Sequence, residues 1–115
     1  MMSDSDRNIP RAKMTPPERQ LRSPLAQLVN QRGVMRGSLS VRHRVCGKAG
    51  CKCTRGQLHE SLYLVLSEEG RTRQLYVPRV FEARVRQWVE NHRRARRLME
   101  EISRRYWKKV RDRQE

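Results

Sequence analysis

Acidic residues, aromatic rings and long apolar runs are all scarce in this chain. Of 115 residues only twelve are Asp or Glu, and 5% are aromatic, with a single Phe. Between residues 19 and 81 the carboxylates are Glu60, Glu68 and Glu69 alone. General acid–base catalysis needs positioned carboxylates or an oriented histidine. Neither a Ser/His/Asp constellation nor a phosphate-cradling glycine loop stands in their place, so the expectation is that the chain is not an enzyme. The longest apolar run, Leu62 to Leu66, is far short of the roughly 20 residues that cross a bilayer. Nothing at the N-terminus resembles a secretion signal. A soluble, cytoplasmic protein with no membrane partner is therefore expected. The rings are too few to support a platform of the kind single-strand binders use. Tyr63, Tyr76, Trp88 and Trp107 could each stack on a base, but Trp88 reads as core, and Tyr106 and Trp107 as partly exposed near a helix end.

What the chain has is positive charge. Twenty-seven Lys and Arg give a formal net charge of +15 and a pI near 11.3. Such a charge draws polyanions: DNA, RNA or an anionic membrane. Arginine outnumbers lysine, and its planar fork suits phosphate. A GC-rich genome accounts for part of the arginine bias but less well for the net charge. The length fits about one domain, and 36% hydrophobic content implies a small core. Small cores are commonly reinforced by a metal.

All three cysteines fall within eight residues, Cys46, Cys51 and Cys53, and His59 follows. Three thiolates and an imidazole form a closed tetrahedral set for a structural Zn²⁺. An extended Cys-x-Cys would aim its side chains to opposite faces, so residues 51–53 must turn, and Gly50 permits that. Gly47 likewise lets the backbone fold over the Cys46 sulfur. Lys48, Lys52 and Arg55 would offset the net negative site. Reduced, unbound thiols and redox or disulfide use are the other readings of the same residues; a disulfide would leave one cysteine over. His43, three residues before Cys46, is a rival for the fourth ligand.

The pattern along the chain is α+β: a short N-terminal helix, a three-stranded antiparallel meander with a zinc loop, and a long C-terminal helix. Residues 1–22, with Pro10, Pro16 and Pro17, read as a disordered tail, followed by one small zinc-stabilised domain over 23–115. Ser23 reads as an N-cap with Pro24 at the first helical position. Leu25, Leu28 and Val29 follow at helical spacing, and Gly33 reads as the C-cap. From Gly37 the period becomes two: Leu39, Val41, His43 and Val45 read as the inward face of a strand. Strands over 62–67 and 72–77 flank a Glu68-Glu69-Gly70 turn, and Pro78 stops the sheet. Residues 79–112 read as one helix about 50 Å long. Phe81, Val85, Trp88, His92, Ala95, Met99, Ile102 and Tyr106 form its heptad stripe. The first half is expected to pack on the sheet, also through Val89. The second half needs another cover, either the short helix or a second copy of the chain.

The run Gly37-Ser38-Leu39, then Arg44-Val45-Cys46-Gly47-Lys48, Cys51-Lys52-Cys53 and His59, then Arg71-Thr72-Arg73 and Tyr76-Val77-Pro78 resembles a family of small, uncharacterised prokaryotic proteins known as a domain of unknown function. The shared pattern is Cys-Gly-Lys-x-x-Cys-x-Cys-x5-His, a Tyr-Val-Pro strand end and a long helix. It spans roughly residues 25–105. Glu60-Ser61-Leu62 stands where the family tends to have Gly-Pro-Tyr. The resemblance implies a shape and not an activity.

From Arg79 onward the chain holds thirteen basic and six acidic residues. Like charges four apart destabilise an isolated helix, and a polyanion relieves that repulsion. The reading is a nucleic-acid-binding zinc module. It contacts phosphates of DNA or RNA, with little sequence specificity, through Arg44, Lys48, Lys52, Arg55, Arg93, Arg94, Arg97, Arg104 and Arg105. The alternative is a protein-interaction or dimerisation module, a homodimer through the heptad stripe. Gln87 and Asn91 are the only amides well inside the helix that could read a base edge.

Overall fold

The computed structural model describes residues 9–45, 48–51, 56 and 58–113. A 3-10 turn at Arg11–Lys13 precedes the first helix, α1, Pro16–Gln31. Thr15 is the N-cap of α1: its hydroxyl accepts from the Glu18 amide at 3.4 Å. Thr15-Pro16-Pro17-Glu18 has the Thr-x-x-Glu spacing of a capping box, and proline is tolerated in the first turn because the N–H it lacks has no helical partner there. The expected start at Ser23 is therefore corrected. Pro24 lies inside the helix, and residues 16–22, read from sequence as tail, are helical. Gly33 is not the C-cap either. Arg32 holds that place, its amide donating to the Leu28 carbonyl at 3.2 Å.

The sheet is a three-stranded antiparallel meander in the order β1 (Ser38–Arg44), β2 (His59–Glu68), β3 (Arg71–Val77). Glu68 pairs with Arg71 across a two-residue turn. Glu69 and Gly70 both have positive φ, 51° and 74°. That is the twisted turn hairpins prefer, and it normally draws Asn-Gly or Asp-Gly. Register places Leu39 against Leu64, Val41 against Leu62, and Leu62 against Val77. Those residues share one face, and side chains one position off point to the other.

The second helix, α2, Glu82–Arg111, follows a 3-10 turn at Arg79–Phe81. It runs unbroken through the whole described pattern, about 45 Å at 1.5 Å per residue. The chain divides into two compact units: residues 33–93, and residues up to 32 with those from 94 on. Each has its own packing.

In the first unit Leu62, Leu64, Val77, Val85 and Val89 make the core, with Met35, Leu39 and Trp88 against it. Four sequence assignments fail here, exposed His43 among them. Val41 is 46% exposed, Val45 53% and Phe81 40%. Among the described residues the core has no large ring fully inside, and along β1 it reaches Leu39 but not Val41. Phe81 instead lies under the Arg84 guanidinium, 4.5 Å from its ring centre. Asn91 is buried and donates to the Gly33 carbonyl at 2.9 Å, while Gln87 donates to Asn91 at 2.8 Å. Gln87 and Asn91 thus bond to each other and to the backbone, where they fix the Gly33 loop.

In the second unit, α1 covers the later part of α2, as one of the two expected covers. Glu18 is 3% exposed. Its carboxylate accepts from Arg22 Nε at 3.0 Å and from the Tyr106 hydroxyl at 3.5 Å, and Lys109 lies 3.9 Å away. Arg22 also donates to the Tyr106 oxygen at 2.9 Å. Leu28 and Ile102 are buried. Val29 (60% exposed) and Met99 (59%) are not. Ala95, Leu98, Tyr106 and Lys109 are half-buried instead. The apolar strip passes through Leu98 and Ile102, an i,i+4 pair, and leaves Met99 outside.

Candidate metal centre and nucleic-acid interface

The connection between β1 and β2 carries the cysteines. Lys48 to Cys51 closes a turn, with the Cys51 amide donating to the Lys48 carbonyl at 3.3 Å. Gly50 sits in it with φ 74°, the left-handed backbone that this position of the turn requires and that glycine adopts without steric cost. The turn carries the Cys51 sulfur to within 3.1 Å of His59 Nε2. Two ligands on one tetrahedral zinc, at about 2.3 Å for sulfur and 2.0–2.1 Å for nitrogen, sit about 3.5 Å apart. The pair is thus a few tenths of an ångström closer than metal ligands, and at hydrogen-bonding distance. It is compatible with either role.

Cys51 and His59 are the half of the proposed ligand set that can be placed. Cys46 and Cys53 lie outside the described residues, as do Lys52 and Arg55. Among the described residues no group of three or more His, Cys, Asp or Glu gathers as a metal site. His43, the rival ligand, turns elsewhere. It is paired in register with Glu60, and its Nδ1 lies 3.7 Å from the Glu60 carboxylate. Of the two histidines it is thus His59, the one the spacing favours, that stands beside Cys51, while Glu60 faces His43 across the β1–β2 pair.

The cationic residues divide by element. Arg44 ends β1 and Lys48 opens the cysteine turn; both are exposed. Arg93, Arg94, Arg97, Arg104 and Arg105 all stand exposed on α2. Adjacent pairs such as Arg93/Arg94 and Arg104/Arg105 point about 100° apart around a helix axis, so the charge wraps α2 rather than forming one stripe. Trp107, 77% exposed, and Val110, 78% exposed, lie among the last of these cations. No helix among the described residues is long and apolar enough to cross a membrane.

One grouping escaped the sequence reading. The sequence has too few rings for a stacking platform, yet register makes Tyr63 and Tyr76 direct partners on β2 and β3. Arg42 lies over the Tyr63 ring, 4.2 Å from its centre. The available signal was parity: Leu62 and Leu64 face the core, so Tyr63 between them must face away.

Comparison with the curated proteins and with the solved structures returned no match. A family match covers residues 15–87, from the Thr15 cap of α1 through the sheet and into the first turns of α2. It stops short of Arg93 and the cations beyond it. Over these residues the chain belongs to the family described as domain of unknown function DUF6788.

Proposed function

We propose that the protein is a zinc-stabilised module that binds nucleic acid through phosphates, with little sequence preference. Cys46, Cys51, Cys53 and His59 hold a structural zinc, which fixes the β1–β2 connection. The approach of Cys51 to His59 supports this half of the reading. The cations on α2 and beside the cysteine turn make the phosphate contacts. The observation that carries the reading is that Arg44, Lys48 and all five helix arginines named above are exposed in a chain of net charge +15. Phosphate contacts position a protein but carry no base information. The amides that could have read a base edge, Gln87 and Asn91, are engaged within the fold.

Replacing Arg93, Arg94 and Arg97 together with Gln tests this. Binding should weaken alike for all sequences. The slope of log K against log salt should fall by about three units, close to one per lost phosphate contact. An unchanged slope would count against α2 as the contact surface.

The second reading, self-association, is favoured by one observation. Met99, Trp107 and Val110 are all more than half exposed and share a helix face, at spacings of eight and three. Ile102 of the heptad stripe is buried, so a dimer would use the face that Met99 shares with Trp107 and Val110. Apolar association changes little with salt. Sedimentation at ~0.1 M and ~1 M salt, across the range where the Debye length falls from about 10 to 3 Å, separates it from phosphate binding.

A further inference from the structure

We infer that the sheet face turned away from α2 is a stacking surface for unpaired bases, so the nucleic acid this module takes is single-stranded. The inference rests on the nucleic-acid reading above and adds the strand state of the ligand. The sheet has two faces of opposite character. Leu62, Leu64 and Val77 pack with Val85 and Val89 on one. The other carries Arg42, Tyr63 and Tyr76 at its centre. Tyr63 and Tyr76 meet edge to face, ring centres 5.7 Å apart at 66°. The Arg42 guanidinium carbon lies over Tyr63, 4.2 Å from the ring centre.

A cross-strand aromatic pair can serve the sheet alone, and three features point beyond that. Tyr76 is 51% exposed, so a large ring is held at the surface without contributing to the core. Arg42 is half-buried on Tyr63, and a guanidinium stacked on a ring is itself a flat cation that a base can cover. The charge on this face is of one sign. Glu60 and Glu68, the carboxylates of the three strands, have the parity of Leu62 and Leu64, whereas Arg42 and Arg44 have the parity of Tyr63 across the β1–β2 register. Arg44 pairs with His59, so cations continue from the rings toward the cysteine turn and Lys48. Rings for the bases and cations for the backbone make up a single-strand site, and stacking tolerates any base. That agrees with weak sequence preference. A duplex keeps its bases stacked on each other and offers the rings nothing.

The test is fluorescence anisotropy at ~100 mM salt with oligo-dT and oligo-rU of about 12 nucleotides, within the site size of such folds, and with a duplex of equal length. Tyr76→Leu removes the flat ring but keeps an apolar strand residue at an exposed site. It should weaken binding to single strands by about 5- to 150-fold, the range for one lost base stack. Duplex binding and the salt slope should stay as in the wild type, and Tyr76→Phe should bind single strands like the wild type. The oligo-dT and oligo-rU arms identify which sugar is preferred. Unchanged single-strand binding by Tyr76→Leu, or an equal loss on duplex, overturns the inference and leaves the phosphate reading standing. No binding of the wild-type protein to any of the three probes overturns both. Wild-type circular dichroism of Tyr76→Leu confirms that a loss is not unfolding; if that variant unfolds, Tyr76→Thr, which also removes the ring without changing charge, gives the same comparison.

Discussion

Gly33→Ala should destabilise the protein through space alone. Gly33 is not among the glycines with positive φ, so alanine meets no left-handed backbone there. A Cβ built there lies 2.3 Å from both Cδ1 and Nε1 of Trp88 and 2.9 Å from Cε2. Carbon atoms settle at about 3.5–4.0 Å, so the gap must open by more than an ångström. Neither side yields easily. The Gly33 carbonyl is held by Asn91 at 2.9 Å, the Met35 amide donates to the Trp88 carbonyl at 3.0 Å, and the indole packs on the small core. Overpacking of this kind costs about 1–3 kcal/mol. At roughly 4–8 °C per kcal/mol for small domains, the midpoint should fall by roughly 4–24 °C. Thermal unfolding by circular dichroism reads it. The double variant Gly33→Ala/Trp88→Leu tells sterics from a general loop effect, because with the indole gone the added methyl should cost less than in the wild type. A Gly33→Ala protein within ~0.5 kcal/mol of wild type, the scatter of neutral surface changes, would refute the reasoning.

Further outcomes follow from other sites. Glu18→Ala removes the buried acceptor of Arg22 and Tyr106 and should cost about 1–3 kcal/mol in urea unfolding; no loss would mean that the network does not hold α1. Glu69→Asn replaces a residue at φ 51° with one that tolerates left-handed backbone, and should raise stability by up to about 1 kcal/mol; a fall in the urea midpoint would contradict the turn assignment. Chelation should release one zinc per chain, lower stability and expose the thiols. Metal-free protein of unchanged stability would remove zinc from the account. Cys53→Ser should lose metal more completely than His59→Ala, since water or His43 can replace an imidazole and no spare thiolate exists; equal retention would contradict those roles.

The parts of the fold that were legible in the sequence are those with a strong local period. Alternation from Leu39 and Leu62 marks the strands, the Glu68-Glu69-Gly70 turn signal joins the last two, with Glu68 in fact pairing inside the ladder, and the absence of Gly and Pro after Pro78 marks one continuous α2. What failed depended on tertiary choice. Thr15-Pro16-Pro17-Glu18 is a readable capping box, but two adjacent prolines and a polar context suggested a tail, and the Glu18 partners are Tyr106 and Lys109, far along the chain. Heptad counting cannot choose between neighbours such as Leu98 and Met99; the covering helix does. Alternation alone put Val41 and His43 inward, while a core of five small aliphatics stops short of them. In the candidate site, spacing favours His59 over His43 as the fourth ligand, and the structure sets His59 beside Cys51 and His43 beside Glu60. The Arg42–Tyr63–Tyr76 grouping needed the register of three strands, which no single segment contains.

The most direct test of the central claim is the affinity of the wild-type chain for random-sequence DNA and RNA across a salt series. The account predicts micromolar or tighter binding at ~100 mM salt, in or beyond the range of non-specific binders, with log K falling linearly against log salt by several units per decade. It also predicts little difference between sequences of equal length. Binding weaker than that for both polymers, or binding that does not respond to salt, would contradict it.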